Sequence, residues 1–163
     1  MSDKTTQHKK EEKSLIMSFP EKNNKKKGIL VFVSYATKDS EIFKIREISE
    51  KLTKYDNIDD VLYWEEDMHD NIYKYMNDNL GRCNVMLLFC SFNALNSVPV
   101  EKEWTAIDAM GKPIIPIFLK KEYIPPLLQS RLGIKFNPLD LQYNVNSIHN
   151  LILKKTGFKK TIK

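Results

Sequence analysis

One carboxylate in this chain stands where its surroundings predict a hydrophobic side chain. Within SVPVEKEW, residues 97–104, a helix beginning near Pro99 would place Glu103 inside an apolar stripe made of Val100, Trp104, Ile107 and Met110. A carboxylate among such neighbours is partly desolvated, and acids of this kind concentrate at functional sites. The alternative is a boundary residue that reaches water or pairs with Lys102 or Lys112. Glu103 is therefore the first candidate for chemistry.

Motifs that are absent narrow the chemistry open to this carboxylate. No G-x-G-x-x-G follows the first apolar run and no G-x-x-x-x-G-K-[ST] occurs, so the dinucleotide fingerprint and the P-loop are excluded. The third predicted strand ends without the aspartate of a phosphoacceptor domain. His8, His69 and His149 lack metal-ligand spacing, so we expect no metal. None of the three falls in loops 34–39 or 91–99, where a Ser or Cys nucleophile would need a base.

A carboxylate without a metal or a histidine is suited to stabilising an oxocarbenium-like sugar, through its charge and through hydrogen bonds to ribose hydroxyls. It needs no acid partner when the leaving group is already activated, as nicotinamide is in NAD⁺. The hydroxyls of Ser34, Tyr35 and Ser91 are candidates for holding ribose or phosphate, although loop serines are more often turn residues. Trp64 would stack on a base or pack in the core. NAD⁺ is thus one substrate that such a carboxylate could act on, and we expect no bound cofactor.

The positive charge of the chain lies at its two ends. The net formal charge is +5 at pH 7, yet residues 28–153 carry more acidic than basic side chains, because lysines crowd residues 1–27 and 154–163. We expect solvated, disordered ends, with contact to an anionic surface as the alternative, and no nucleic-acid partner. No apolar run is long enough to span a bilayer and no secretory signal is present, so we expect a cytoplasmic protein with Cys83 and Cys90 reduced.

Strand-like and helix-like segments alternate along the chain. Strands are predicted at 29–33, 61–64, 84–90, 113–119 and 134–136. Helices are predicted from Ser40 to about Leu52, over 72–80, from Pro99 to Met110, and over 145–153. Asp39 is the predicted N-cap of the first helix, whose buried face would consist of Ile42, Ile45, Ile48 and Leu52.

Alternation of this kind predicts an α/β fold, an open parallel sheet of four or five strands with helices on both faces. In the common strand order 2-1-3-4-5, the connections leaving the first and third strands diverge to opposite faces and open a crevice, which is the default ligand site. Here the crevice would lie between loop 34–39 and loop 91–99. Because loop 91–99 leads into the helix that bears Glu103, this carboxylate is expected at the mouth of the crevice.

Three stretches carry a resemblance to a known family over residues 28–155: FVSYATKDSE at 32–41, LYWEEDM at 62–68, and LLFCSFNALNSVPVEKEW followed by GKPIIPIF. In these stretches the chain resembles a TIR (Toll/interleukin-1 receptor) domain. The resemblance implies the five-stranded flavodoxin-like TIR fold, between a basic leader at 1–27 and a basic tail at 156–163. Many microbial members of this family cleave NAD⁺ at the bond between nicotinamide and ribose.

The resemblance also implies roles for individual residues. The family's catalytic glutamate lies in a pattern similar to S-x-W-x-x-x-E, which Ser97 and Glu103 match, with Pro99 at the tryptophan position. Trp64 stands where active relatives often have an aspartate. Substrate-binding residues would then be Ser34, Tyr35, Ala36, Trp64, Ser91 and Ser97. The family's BB loop, which completes the NAD⁺ pocket of a neighbouring molecule, corresponds to Glu65, Glu66, Asp67, Met68, His69 and Asp70, without the usual glycine.

Three functions stay open at this point. The first is an NAD⁺ glycohydrolase that releases nicotinamide and ADP-ribose or a cyclic isomer, is activated by self-association, and serves signalling or defence. The second is a non-catalytic adaptor that signals through TIR–TIR contacts, which the departures at Pro99 and Trp64 would favour. The third is a nucleoside ribosyltransferase. A separate sensor chain or another TIR-containing protein is an expected partner.

Overall fold

The apolar runs of the sequence form one parallel sheet. The computed structural model describes residues 28–64 and 72–158. Five strands pair in the order β2-β1-β3-β4-β5, every pair parallel, as predicted for this fold class. The strands are β1 (Ile29–Ser34), β2 (Ile58–Leu62), β3 (Val85–Cys90), β4 (Ile114–Phe118) and β5 (Ile134–Lys135).

Five α-helices cover this sheet in the described residues: α1 (Ile45–Thr53), α2 (Ile72–Leu80), α3 (Phe92–Leu95), α4 (Val98–Ala109) and α5 (Leu141–Thr156). Single 3₁₀ turns occur at Thr37–Asp39, Lys121–Tyr123 and Pro126–Leu128. Helices α1 and α5 pack on one face, and α2 and α4 pack on the other. None of these helices combines the length and the hydrophobicity needed to span a lipid bilayer.

The central strands supply both cores by alternation. In β1 the side chains of Val31 and Val33 enter the core under α1 and α5, whereas Leu30 and Phe32 enter the core under α2 and α4. Because successive side chains of a strand point to opposite faces, a strand covered on both faces is apolar at nearly every position. This requirement explains why β1 and β3 appear in the sequence as unbroken hydrophobic runs.

The first helix begins later than predicted. Residues 40–44 form turns, Lys44 adopts a left-handed conformation with φ of 50°, and α1 starts at Ile45, so Asp39 is not its N-cap. Ile42, predicted on the buried face, is 57% exposed, and Phe43 is buried instead. The Phe43 ring lies 5.2 Å from Phe89 and 5.1 Å from Phe136, centroid to centroid. The chain therefore buries the Phe43 ring in place of Ile42, although Ile42 fits the helical spacing of Ile45, Ile48 and Leu52.

Other differences concern the ends of elements. β2 runs over Ile58–Leu62 instead of 61–64, and α3 was not predicted. Met110 is 50% exposed because α4 ends at Ala109, one residue before it, and Gly111 follows with φ of 71°.

Both cysteines are free and buried. Burial raises the pKa of the Cys83 thiol, and it raises the pKa of Cys90 to about 12, which favours the protonated thiol in both.

Candidate active site

A cavity of about 490 Å³ lies at the carboxyl edge of the sheet. The chain leaves β1 toward α1 on one face and leaves β3 toward α4 on the other, which opens a crevice between the two strands. Its lining comes from the end of β1, the loop after it, the end of β2 and helices α2 to α4: Phe32, Val33, Tyr35, Ala36, Thr37, Lys38, Trp64, Met76, Asn93, Asn96, Ser97, Pro99, Val100 and Glu103.

Helix α4 carries Glu103 into the wall of this cavity. Its N-cap is Ser97, whose hydroxyl oxygen accepts from the Val100 backbone N–H at 3.3 Å. Pro99 is the second helical residue, a position where its missing N–H costs no helical hydrogen bond. The buried positions of α4 are Val100, Glu103, Trp104 and Ile107, which confirms the predicted stripe except at Met110, which is exposed. Glu103 is only 8% exposed.

Burial dominates the electrostatics of Glu103. Desolvation of its carboxyl group raises its pKa from 4.5 to about 7, and the neighbouring Ser34 hydroxyl opposes this by a smaller amount because it favours the ionised form. Ser34 ends β1 and is 1% exposed. Its Oγ makes no hydrogen bond of standard geometry within the described residues. Near neutral pH, Glu103 therefore populates both its charged and its neutral form.

A hydrogen bond in the cavity wall joins the segments that follow β1 and β2. The Tyr35 hydroxyl donates to the backbone carbonyl of Trp64, and both residues line the cavity wall. Trp64 is half-buried and follows β2 after one intervening residue. Since residues 65–71 are not described, the predicted BB-loop residues, Glu65 to Asp70, lie outside the described part of the chain.

Asp39 joins the two loops that border the crevice. It is 4% exposed, and its carboxylate accepts from Ser91 Oγ and from Asn93 Nδ2, the latter at 2.9 Å. Ser91 is also the N-cap of α3, because its Oγ accepts from the Ala94 backbone N–H at 2.9 Å. The one hydroxyl proton of Ser91 is thus committed to Asp39. Asn93 stands on the cavity wall.

The structure sorts the predicted substrate-binding residues into two groups. Tyr35, Ala36, Trp64 and Ser97 line the cavity together with Glu103, whereas Ser34 and Ser91 are not part of its lining. Sequence reasoning did not single out four polar lining residues: Thr37, Lys38, Asn93 and Asn96. They belong to a 3₁₀ turn or to the four-residue α3 and its C-cap, elements too short to leave a periodic pattern.

No cluster of His, Cys, Asp or Glu suited to a metal ion occurs in residues 28–64 and 72–158.

An open parallel sheet in the order 2-1-3-4-5, with its cavity at the switch point, defines a flavodoxin-like α/β domain. The sequence model of the TIR domain matches residues 31–152, and the chain belongs to the TIR-domain family. No curated protein sequence matches it significantly.

Solved structures share the fold at low sequence identity. The TIR domain of the Toll-related receptor TRR-2 from Hydra magnipapillata aligns with a TM-score of 0.58 and 15% identity, covering 78% of this chain and 97% of that domain. A prokaryotic SEFIR domain aligns with a TM-score of 0.56 and 18% identity, covering 77% of this chain and 99% of that domain. At these identities the similarity concerns the fold alone.

Proposed function

We propose that this TIR domain is an NAD⁺ glycohydrolase and that Glu103 is its catalytic carboxylate. The observation that supports this proposal is the burial of Glu103 on the wall of the switch-point cavity, with its pKa raised to about 7. A solvated surface glutamate would show neither feature. The volume of about 490 Å³ falls within the usual range for ligand pockets, about 300–1,000 Å³.

In the proposed reaction the bond between C1′ of the ribose and the nicotinamide nitrogen breaks. The electron pair of this bond neutralises the pyridinium ring, so nicotinamide leaves without a proton, and positive charge develops on the ribose. The Glu103 carboxylate stabilises that charge. Water then adds to C1′ and loses one proton, which gives ADP-ribose; a carboxylate with a pKa near 7 is suited to take that proton. Attack by the adenine in place of water would give a cyclic isomer.

Other residues of the cavity fit the remaining parts of NAD⁺. Lys38 is an exposed cation at the rim and suits the diphosphate. Trp64 offers an aromatic wall on which a base or the nicotinamide ring stacks. Ser97 caps α4 at the cavity and is less available as a ligand group, because its oxygen already accepts a backbone hydrogen bond.

Self-association forms part of this proposal through the family resemblance. The acidic segment Glu65–Asp70 would contact a neighbouring copy and complete its pocket. Reversing the charge of Asp67 and Asp70 to lysine is expected to abolish both self-association, measured by light scattering, and NAD⁺ cleavage. Intact association in this double variant would exclude the acidic segment as the contact.

The deciding experiment follows nicotinamide release from NAD⁺ by concentrated protein. Glu103→Gln keeps the shape of the side chain and removes its charge, so release should fall by about 100-fold or more. Glu101→Gln is the matched control, since Glu101 is exposed on the same helix, and it should leave the rate unchanged. Equal release by wild type and Glu103→Gln would remove Glu103 from the mechanism. Exchange of the base of a deoxynucleoside, assayed in parallel, distinguishes a ribosyltransferase.

A non-catalytic TIR adaptor is the second candidate. Pro99 lines the cavity at the position where the active members of the family carry tryptophan, and Trp64 lines it where they often carry aspartate. An adaptor would release no nicotinamide even at concentrations at which the chain self-associates, and it would keep its partner contacts in the Glu103→Gln variant.

A further inference from the structure

The buried Asp39 carboxylate ties the loop after β1 to the loop after β3. Its two hydrogen-bond donors, Ser91 and Asn93, lie 52 and 54 residues further along the chain, on the other side of the crevice. The backbone of Asp39 is itself held, because its N–H donates to the Ala36 carbonyl at 2.8 Å and its carbonyl accepts from the Phe43 N–H at 3.1 Å. Asp39 is therefore a fixed point against which the Asn93 side chain is oriented.

The chemistry of this contact determines which way the Asn93 amide faces. A carboxylate can only accept hydrogen bonds, so the side of the amide that meets Asp39 must be its NH₂ group. The carbonyl oxygen of the amide then lies on the side away from Asp39. Because Asn93 belongs to the cavity wall, its carbonyl oxygen can meet a ligand, and the amide keeps one further N–H besides the one given to Asp39.

The geometry points to Asn93 as a specificity-determining residue that Asp39 sets as a hydrogen-bond acceptor, so this part of the cavity takes a ligand group that donates, a sugar hydroxyl or a carboxamide N–H. A phosphate oxygen, which only accepts, is disfavoured at the same place. Asp39 is a positioning residue that acts through Asn93 and does not touch the ligand. The inference rests on the proposed function only in its choice of NAD⁺ as the ligand.

The same contacts supply an isosteric variant that reverses the polarity. In Asp39→Asn, the new amide accepts from Ser91 with its oxygen and donates to Asn93 with its nitrogen. In this arrangement Asn93 turns its oxygen toward residue 39 and its NH₂ group toward the ligand. The double variant Asp39→Asn/Asn93→Asp keeps the contact between the two residues and restores an acceptor on the ligand side, because both carboxylate oxygens accept.

The test measures the NAD⁺ dissociation constant by calorimetry at about 0.15 M salt, where long-range charge effects are screened. All variants carry Glu103→Gln, which prevents turnover. Asp39→Asn should weaken NAD⁺ binding by about tenfold, because the Asn93 NH₂ group then faces a donor group of the ligand. The dissociation constant of the double variant should return to within about threefold of that of the Glu103→Gln background. Asn93→Ala removes the acceptor and the Asn93 hydrogen bond to Asp39 but keeps the one from Ser91. It should match the loss and serves in place of Asp39→Asn if that variant fails to fold.

The other possible results of this experiment contradict the acceptor role of Asn93, the proposed cleavage of NAD⁺, or both. Equal dissociation constants for the background, Asp39→Asn and Asn93→Ala would overturn the acceptor role of Asn93 and leave the proposed activity standing. The reverse ranking, with Asp39→Asn tighter and the double variant weaker, would show that Asn93 donates to a phosphate. A wild-type chain that binds NAD⁺ without releasing nicotinamide would contradict the proposed activity alone, and a chain that does not bind NAD⁺ would contradict both.

Discussion

The Tyr35 hydroxyl donates a hydrogen bond to the backbone carbonyl of Trp64, and both residues line the cavity. It links two neighbouring strands at the point where each has just ended, β1 at Ser34 and β2 at Leu62. The position of the Trp64 ring therefore depends on a side chain from another strand as well as on the course of β2. Any ligand that packs against Trp64 should be sensitive to this contact.

Tyr35→Phe should raise the KM for NAD⁺ several-fold while changing kcat much less. The phenylalanine ring keeps the place of the tyrosine ring, but the hydrogen bond to the Trp64 carbonyl is lost and the tryptophan is held less firmly. Loss of one partly buried hydrogen bond should also reduce the free energy of unfolding by about 1 kcal/mol. Steady-state kinetics and urea unfolding measure the two effects. Tyr143→Phe, at an exposed tyrosine on α5, is the control. An unchanged KM in Tyr35→Phe would mean that Trp64 does not contact the substrate.

The pKa of Glu103 sets a pH dependence for the proposed reaction. Only the ionised carboxylate stabilises a ribosyl cation, and burial places its pKa at about 7. The value of kcat/KM should therefore rise about tenfold per pH unit below pH 7 and become level above it. Rates measured between pH 5 and pH 9 test this expectation. A profile that is already level at pH 5 would show that the acting carboxylate has an ordinary pKa.

Glu103 should also make folding stability depend on pH, whether or not the chain is an enzyme. Its pKa is about 7 in the folded protein against 4.5 for a solvated glutamate, so between these values the folded state binds more protons than the unfolded state. The free energy of unfolding of the wild type should fall across this interval, and the loss is complete above pH 7. The size of the shift corresponds to at most about 3 kcal/mol.

Glu103→Gln does not titrate, so its stability relative to wild type should increase from pH 4.5 to pH 7 by an amount up to this limit. Urea unfolding of both proteins at pH 5, 6, 7 and 8 gives the difference, in which the effects of other titrating groups largely cancel. A difference that stays constant over this range would mean that the folded chain gives Glu103 an unperturbed environment.

Sequence patterns predict the sheet well because both its faces are covered. Every position of β3, and every position of β1 before Ser34, is then apolar, and such runs are visible without any knowledge of the rest of the chain. The position of Glu103 is predictable for a related reason. It interrupts a stripe that Val100, Trp104 and Ile107 otherwise define, and all four side chains are buried in the structure.

The polar part of the cavity is less predictable because it depends on contacts between distant residues. Asp39 precedes an apolar periodic segment and has the form of an N-cap, yet its carboxylate is used by Ser91 and Asn93 across the crevice. Ser34 and Ser91 lie in the predicted loops. Ser34 is buried beside Glu103, whereas Ser91 donates to Asp39 and caps α3. The spacing of residues along the chain does not indicate which distant side chains will form these contacts.

The short strand β5 should depend on the absence of a side chain at Gly133. A Cβ atom added there would lie 2.5 Å from the backbone oxygen of Pro116 in β4, closer than any real contact, and a strand backbone cannot move away freely. Gly133→Ala should therefore lower the free energy of unfolding by about 2 kcal/mol. Gly81→Ala is the matched control: a Cβ atom at Gly81 meets nothing within 4 Å, so the change should stay within about 0.5 kcal/mol. Urea unfolding of both variants decides the matter, and equal stability of the two would show that β5 can shift away from β4 without cost.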